Sequence, residues 1–243
     1  TEVHLACAGA RRAGRRRSVA AETTGMRPDL WGLYVITDDR RSGPDHLTAQ
    51  VAAALAGGAR VVQYRDKSTD QERRLAEARA LTDLCRQHRA PLLINDDVDL
   101  ALAVRADGVH LGRDDQDIAS ARARLPAGSL VGISCYNDFE LAREAARAGA
   151  DYIAFGSFFP SPTKPDAVTA RPDLLQRARR ELALPTVAIG GISPENGAPL
   201  VKAGADMLAV ISAVFAATDV AAATRAFTPC FHRIEEPRHE RRT

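Results

Sequence analysis

Between Leu30 and Phe227 the chain alternates short β-rich apolar runs with longer Ala-, Arg- and Leu-rich segments whose apolar residues recur at helical spacing. A polar or Gly-containing turn separates the two, and the unit occurs eight times. The pattern predicts strands at WGLYVIT from Trp31, RVVQYRD from Arg60, PLLIND from Pro91, GVHLG from Gly108, LVGISC from Leu130, YIAFGSF from Tyr152, PTVAIGG from Pro185 and MLAVISA from Met207. Helix signals accompany them. Asp70 to His88 is a long amphipathic run, Phe139 to Ala148 closes at Gly149, and Ser193-Pro194-Glu195 sets a capping hydroxyl before Pro at a first helical position. The phrases GGAR, RADGV, AGADYI and AGADML recur where a helix hands over to the next strand.

Strands that are apolar on both faces belong to a parallel sheet covered by helices, and eight βα units favour closure. The expected fold is therefore α/β, a single TIM (β/α)8 barrel with disordered N- and C-terminal extensions. A doubly wound open sheet would call for GxGxxG after the first strand, and the chain has none there. The layout reads as a disordered extension over 1–26, a TIM-barrel catalytic domain over 27–227 and a polar C-terminal tail over 228–243. The opening segment is rich in Ala, Arg and Gly and ends at Met26, which suits a transit peptide or residues ahead of a start at Met26.

Composition narrows the partners. The net charge of +2 is carried by the Arg-rich ends, which leaves the body slightly acidic and without a basic face for nucleic acid or an anionic membrane. No apolar run reaches the roughly 18 residues of a membrane span. Cys7, Cys85, Cys135 and Cys230 form no CxxC pair and no zinc-type spacing, which fits reduced thiols in the cytoplasm. Small molecules are the expected partners, with a homodimer left open.

In a barrel of this kind the carboxyl ends of the strands and the loops after them form the active face. The polar residues gather there: Thr37 and Asp38, then Gln63, Arg65 and Lys67, then Asn95 and Asp96, then His110 and Asp115, followed by Ser134, the loop from Ser161 to Lys164, Gly190-Gly191 and Ser212. Alternation along a strand would put Gln63, Arg65 and Lys67 on one face, a receptor for phosphate oxygens. Asp96 and Asp115, at adjacent strand ends, offer the oxygen ligands that Mg²⁺ takes together with substrate phosphate and water. Asp97 and Asp114 also read as helix caps. Gly190-Gly191 and Ser212 stand where such barrels hold a phosphate on loop amides. The segment FGSFFPSPTKP is too long and Pro-rich for an ordinary turn, and His110 reads as a hydrogen-bonded interior histidine rather than a base.

The strings LYVITD, VVQYRDK, LLINDDVDLALAVRADGVHLGRDD, GISCYN, GADYIAFGSFFPSPTKP and VAIGGISPENGAPLVKAGADMLAVISAVF resemble, in order across Leu33 to Phe215, the successive blocks of the thiamine-phosphate synthase family. That resemblance implies a transferase that condenses 4-amino-2-methyl-5-hydroxymethylpyrimidine diphosphate with 4-methyl-5-(2-phosphooxyethyl)thiazole, or its carboxylate, to thiamine phosphate and pyrophosphate. It implies that Gln63, Tyr64, Arg65, Asp66, Lys67, Asn95, Ser134 and Lys164 bind the pyrimidine diphosphate, with Arg65, Lys67, Lys164 and Ser134 as the catalytic set. Ser161, Pro162, Thr163, Gly190, Gly191, Ile211 and Ser212 would bind the thiazole phosphate, and Asp96 and Asp115 would hold Mg²⁺. The chain departs from the family pattern in Gly112-Arg113-Asp114-Asp115 where GQED is usual, in Ser161 where Thr is usual, and in Cys135-Tyr136 where a small residue and His are usual. Two alternatives are an isomerase resembling the thiazole tautomerases and a non-catalytic barrel that binds a phosphate ligand.

Overall fold

All eight apolar runs form parallel strands: β1 (Gly32–Ile36), β2 (Val61–Tyr64), β3 (Leu92–Asn95), β4 (Gly108–Leu111), β5 (Leu130–Tyr136), β6 (Tyr152–Phe155), β7 (Thr186–Ile189) and β8 (Met207–Val210). They close in sequence order into a barrel, with β1 paired to both β2 and β8. The computed structural model describes residues 29–37, 44–112, 117–160 and 169–231. Between the strands run α1 (Pro44–Ala56), α2 (Gln71–His88), α3 (Val98–Val104), α4 (Ile118–Arg124), α5 (Phe139–Arg147), α6 (Pro172–Glu181) and α7 (Gly197–Ala203); α8 (Ser212–Phe215), α9 (Val220–Arg225) and α10 (Thr228–Phe231) follow β8. The architecture is the expected TIM barrel. Among the described residues no helix is long and apolar enough to cross a membrane.

Period-two alternation divides the core into two layers. Tyr34, Ile36, Val61, Leu93, Leu130, Tyr152, Val187 and Met207 point into the barrel. Their neighbours Leu33, Val35, Val62, Leu92, Ile94, Val131 and Ile153 pack outward against the helices. Gly132, inside β5, makes room for an aromatic ring: a Cβ there would lie 1.9 Å from Tyr152 Cζ.

The helix ends follow local chemistry. Asp70 caps α2 by accepting the Arg73 N–H at 3.0 Å, and Asp138 caps α5 by accepting the Glu140 N–H at 2.9 Å. The recurring RADG and GAD phrases have a shared function. The carboxylates of Asp107, Asp151 and Asp206, each one residue before an even-numbered strand, accept the N–H groups of Leu92, Val131 and Thr186 on the preceding odd-numbered strand at 2.8, 2.8 and 2.9 Å.

Two expectations need correction. The helix signalled by Ser193-Pro194 begins only at Gly197, because Asn196 folds back: its Oδ1 accepts the Ser193 N–H at 2.8 Å and its Nδ2 donates to Gly191 O at 3.0 Å. The polar tail set at 228–243 also starts too early. Residues Thr228–Phe231 form α10, with Cys230 and Phe231 buried and the Phe231 ring edge-on to Trp31 at 5.3 Å. Four residues are too few to show a period, so apolar Cys230 and Phe231 were hidden among their polar neighbours.

Candidate active site

The carboxyl end of β2 carries the first group of predicted ligands. Strand pairing stops at Tyr64, so of Gln63, Arg65 and Lys67 only Gln63 lies on the strand proper. It points inward and is buried, with its Nε2 donating to Tyr34 Oη at 2.6 Å. Arg65 is anchored by its backbone: its N–H donates to Thr37 Oγ1 at 2.8 Å, and Thr37 Oγ1 donates back to Arg65 O at 3.2 Å. Lys67 reaches across to the end of β3, where its ammonium pairs with Asp96 Oδ2.

The side chains of Tyr64 and Asp66 take the other face. Tyr64 Oη donates to Glu77 Oε2 of α2 at 2.7 Å, and Asp66 accepts from Ser68 N at 2.7 Å and from Arg73 Nη2 at 2.6 Å. These side chains hold the β2–α2 loop from behind. The odd-even rule that aims Gln63 into the barrel turns Tyr64 toward the helices.

At the end of β3, Asn95 Nδ2 donates to Asp96 Oδ2 at 2.5 Å, and Asp96 adopts a left-handed φ of 62°. A carboxylate residue held in that sparsely populated region at a strand end marks a constrained position. Asp97 is the cap of α3, accepting Leu100 N–H at 2.8 Å, and also pairs with Arg74 at 2.8 Å. Lys67, Asn95, Asp96 and Asp97 line one cleft of about 330 Å³. A larger cavity of about 450 Å³, between Trp31, Arg60, His88 and Phe227, lies at the opposite rim, away from every predicted ligand.

The far wall is built from β4, β5 and β7. His110 is an interior histidine, bonded through Nδ1 to Tyr152 Oη at 2.8 Å and through Nε2 to Ser134 Oγ at 2.9 Å. Ser134 lies at a register shift between β5 and β6, beyond which Tyr136 has a φ of 53°. Gly190 and Gly191 have φ values of 101° and 61°, and a Cβ on Gly191 would lie 2.4 Å from Pro160 O. Only glycine supports that turn so close to the β6 loop, whose Phe158 and Phe159 N–H groups donate to Ile189 O and Gly190 O, each at 3.1 Å. Ile211 and Ser212 stand at the junction of β8 and α8.

Asp115, Ser161, Pro162, Thr163 and Lys164 lie outside the described residues, as do Asp38, Arg113 and Asp114. Among the described residues no group of three or more His, Cys, Asp or Glu side chains could hold a metal ion. The structure joins Lys67 to Asn95 and Asp96, and joins Gln63 to Ser134 through Tyr34, Tyr152 and His110. The sequence pattern presents Tyr34 and Tyr152 only as apolar strand positions and leaves Asn196 inside an ordinary turn. The phenols' inward parity and the Ser-Pro-Glu-Asn turn were the signals available.

An eight-stranded closed barrel with its cations, amides and glycine turn on the carboxyl-terminal rim defines a TIM-barrel enzyme. Residues 33–214 match the family described as thiamine monophosphate synthase, and the chain belongs to that family. It is 56% identical over 197 residues to the thiamine-phosphate synthase of Thiobacillus denitrificans, covering 80% of this chain and 92% of the relative. To that of Nitrosospira multiformis it is 48% identical over 218 residues, covering 90% and 93%. The solved thiamine phosphate pyrophosphorylase from Pyrococcus furiosus superposes with a TM-score of 0.75 at 38% identity, covering 83% of this chain and 96% of that one.

Proposed function

We propose that this chain is a thiamine-phosphate synthase that joins the pyrimidine diphosphate to the thiazole phosphate, and that its described rim binds the pyrimidine diphosphate. The observation that carries the reading is the convergence of Lys67, Asn95 and Asp96 from adjacent strand ends. In the reaction, the bond between the pyrimidine methylene carbon and the diphosphate oxygen breaks, and its electron pair leaves with pyrophosphate. The thiazole nitrogen then donates its lone pair to the methylene carbon, which closes the new C–N bond and leaves a thiazolium. No protein nucleophile is required.

Arg65, Lys67 and Lys164 act on the negative charge that grows on the departing pyrophosphate, and Gln63, Asn95 and Ser134 orient the pyrimidine side. Ser161, Pro162, Thr163, Gly190, Gly191, Ile211 and Ser212 receive the thiazole phosphate; the cramped left-handed turn at Gly190-Gly191 supports backbone contact with an anion. Asp96 and Asp115 would hold Mg²⁺. The donor chemistry fits: the Lys67 ammonium already rests on Asp96 Oδ2, so that oxygen is aimed at a cation, and one or two carboxylates completed by phosphate oxygens are what Mg²⁺ accepts. Bound there, the ion would neutralise diphosphate charge as a Lewis acid. We place the enzyme in the cytoplasm, a reading supported by the buried free thiols of Cys85 and Cys135, both pushed up to about 12 by burial.

The test is incubation of the purified protein with both phosphorylated substrates, with Mg²⁺ or with EDTA, and mass detection of thiamine phosphate. Product with metal and none with EDTA is expected. Asp96→Asn should lower turnover by about tenfold or more, with partial recovery at high Mg²⁺. Full activity of the variant would remove Asp96 from the metal site, and no product from folded wild-type protein would remove the function.

A further inference from the structure

We propose that Gln63, Tyr34, Tyr152 and His110 form a directional hydrogen-bond chain through the barrel interior that presents Ser134 to the substrate as a hydrogen-bond donor. The proposal rests on the functional reading above, in which Gln63 and Ser134 face the pyrimidine diphosphate. Tyr34, Tyr152 and His110 are then positioning residues that act through Ser134.

The chain has four links. Gln63 Nε2 donates to Tyr34 Oη at 2.6 Å, Tyr34 Oη lies 2.9 Å from Tyr152 Oη, Tyr152 Oη lies 2.8 Å from His110 Nδ1, and His110 Nε2 lies 2.9 Å from Ser134 Oγ. It crosses from β2 through β1, β6 and β4 to β5. All its members except Ser134 are buried.

Its direction follows from proton counting. An amide nitrogen only donates, so Tyr34 Oη accepts from Gln63 and its single proton goes on to Tyr152. Tyr152, having accepted, gives its proton to His110 Nδ1. Nδ1 is therefore the bare nitrogen, and a neutral imidazole carries its one proton on Nε2. Nε2–H donates to Ser134 Oγ, and the hydroxyl proton of Ser134 is left for an acceptor atom in the barrel mouth, an anionic oxygen or a ring nitrogen. The setting supports the neutral imidazole, since the ring is buried and both of its nitrogens face uncharged hydroxyls.

The barrel interior could have been filled with aliphatic side chains, as it is at Val61, Leu93, Leu130, Val187 and Met207. Two phenols and an imidazole in the same space must all be satisfied, and they are, because Gly132 leaves the volume that the Tyr152 ring occupies. The two ends of the chain are both residues read as substrate contacts. A filler would have no reason to connect them.

The discriminating measurement is the tautomer of His110 in the ligand-free full chain at pH 7, from imidazole ¹⁵N resonances assigned by difference against His110→Gln. A bare Nδ1 and a protonated Nε2 are expected. Gln63→Glu, whose carboxylate only accepts, should reverse every link and move the proton to Nδ1. Tyr152→Phe should lower kcat by about tenfold, the order of one lost hydrogen bond in a buried network. An Nδ1–H tautomer in the wild-type protein overturns the proposal, as does a folded Tyr152→Phe with unchanged kcat. If Tyr152→Phe does not fold, the wild-type tautomer still decides. A wild-type protein that shows the expected tautomer but makes no thiamine phosphate overturns the functional reading alone.

Discussion

His110 is bonded by hydroxyls at both ring nitrogens, and its burial moves the imidazole from an ordinary value near 6.5 to about 4, against the smaller opposing pull of Asp96. The folded state therefore disfavours the protonated ring, while the unfolded chain takes up a proton near its ordinary value. This contribution to stability is complete above about pH 6.5 and is lost as the pH falls toward 4. Between pH 7 and pH 5 the loss amounts to about 2 kcal/mol. Urea midpoints should fall by more over that interval in the wild-type protein than in His110→Gln, and equal losses in the two would remove His110 as the cause. His110's interior role could be read from its place in the middle of GVHLG. The two tyrosines could not, because within LYVIT and YIAF a phenol looks like any other large apolar side chain until its hydroxyl partner is known. Tyr64 and Asp66 show the converse: inside a recognisable run of site residues, their side chains turn outward to Glu77 and Arg73, partners on α2 that the run itself does not reveal.

At the level of elements, the positions of strands and helices were legible because apolar runs and caps are local signals, whereas boundaries set by long-range bonds were not. Asn196 shortens α7 by reaching back to Gly191, a contact no periodicity contains. The C-terminal end of α2 is similar. Arg89 closes that helix with a φ of 55°, its N–H donating to Arg86 O, in a conformation where Gly is the favoured residue. Its side chain is exposed, so little packing opposes replacement. Arg89→Gly should relieve about 1 kcal/mol of left-handed strain and raise the thermal midpoint by about 2–4 °C. A midpoint that stays unchanged or falls would show that the Arg89 side chain offsets the strain.

Over the whole molecule the two rims of the barrel have separate tasks. Substrate-facing groups stand at the carboxyl ends of the strands, and Trp31, Phe227 and Phe231 pack beneath their amino ends, around the larger cavity. Phe231→Ala should cost about 3 kcal/mol, read as a lower urea midpoint, with kcat per folded molecule unchanged. A changed kcat would mean that the rims communicate. The separation was legible in outline, since the described strand-end polar residues stand at the carboxyl rim, but the contribution of α10 depended on the long-range contact of Phe231 with Trp31. The aspartates at the lower rim have a consequence of their own. Each fastens the foot of an even-numbered strand to the odd-numbered one before it, so three of the barrel's joints, β3–β4, β5–β6 and β7–β8, carry the same carboxylate bolt. The pair β1–β2 has Arg60 at the corresponding place. That joint is held instead by the Arg60 N–H donating to Leu33 O at 2.8 Å, and it opens onto the cavity beside Trp31 and Arg60.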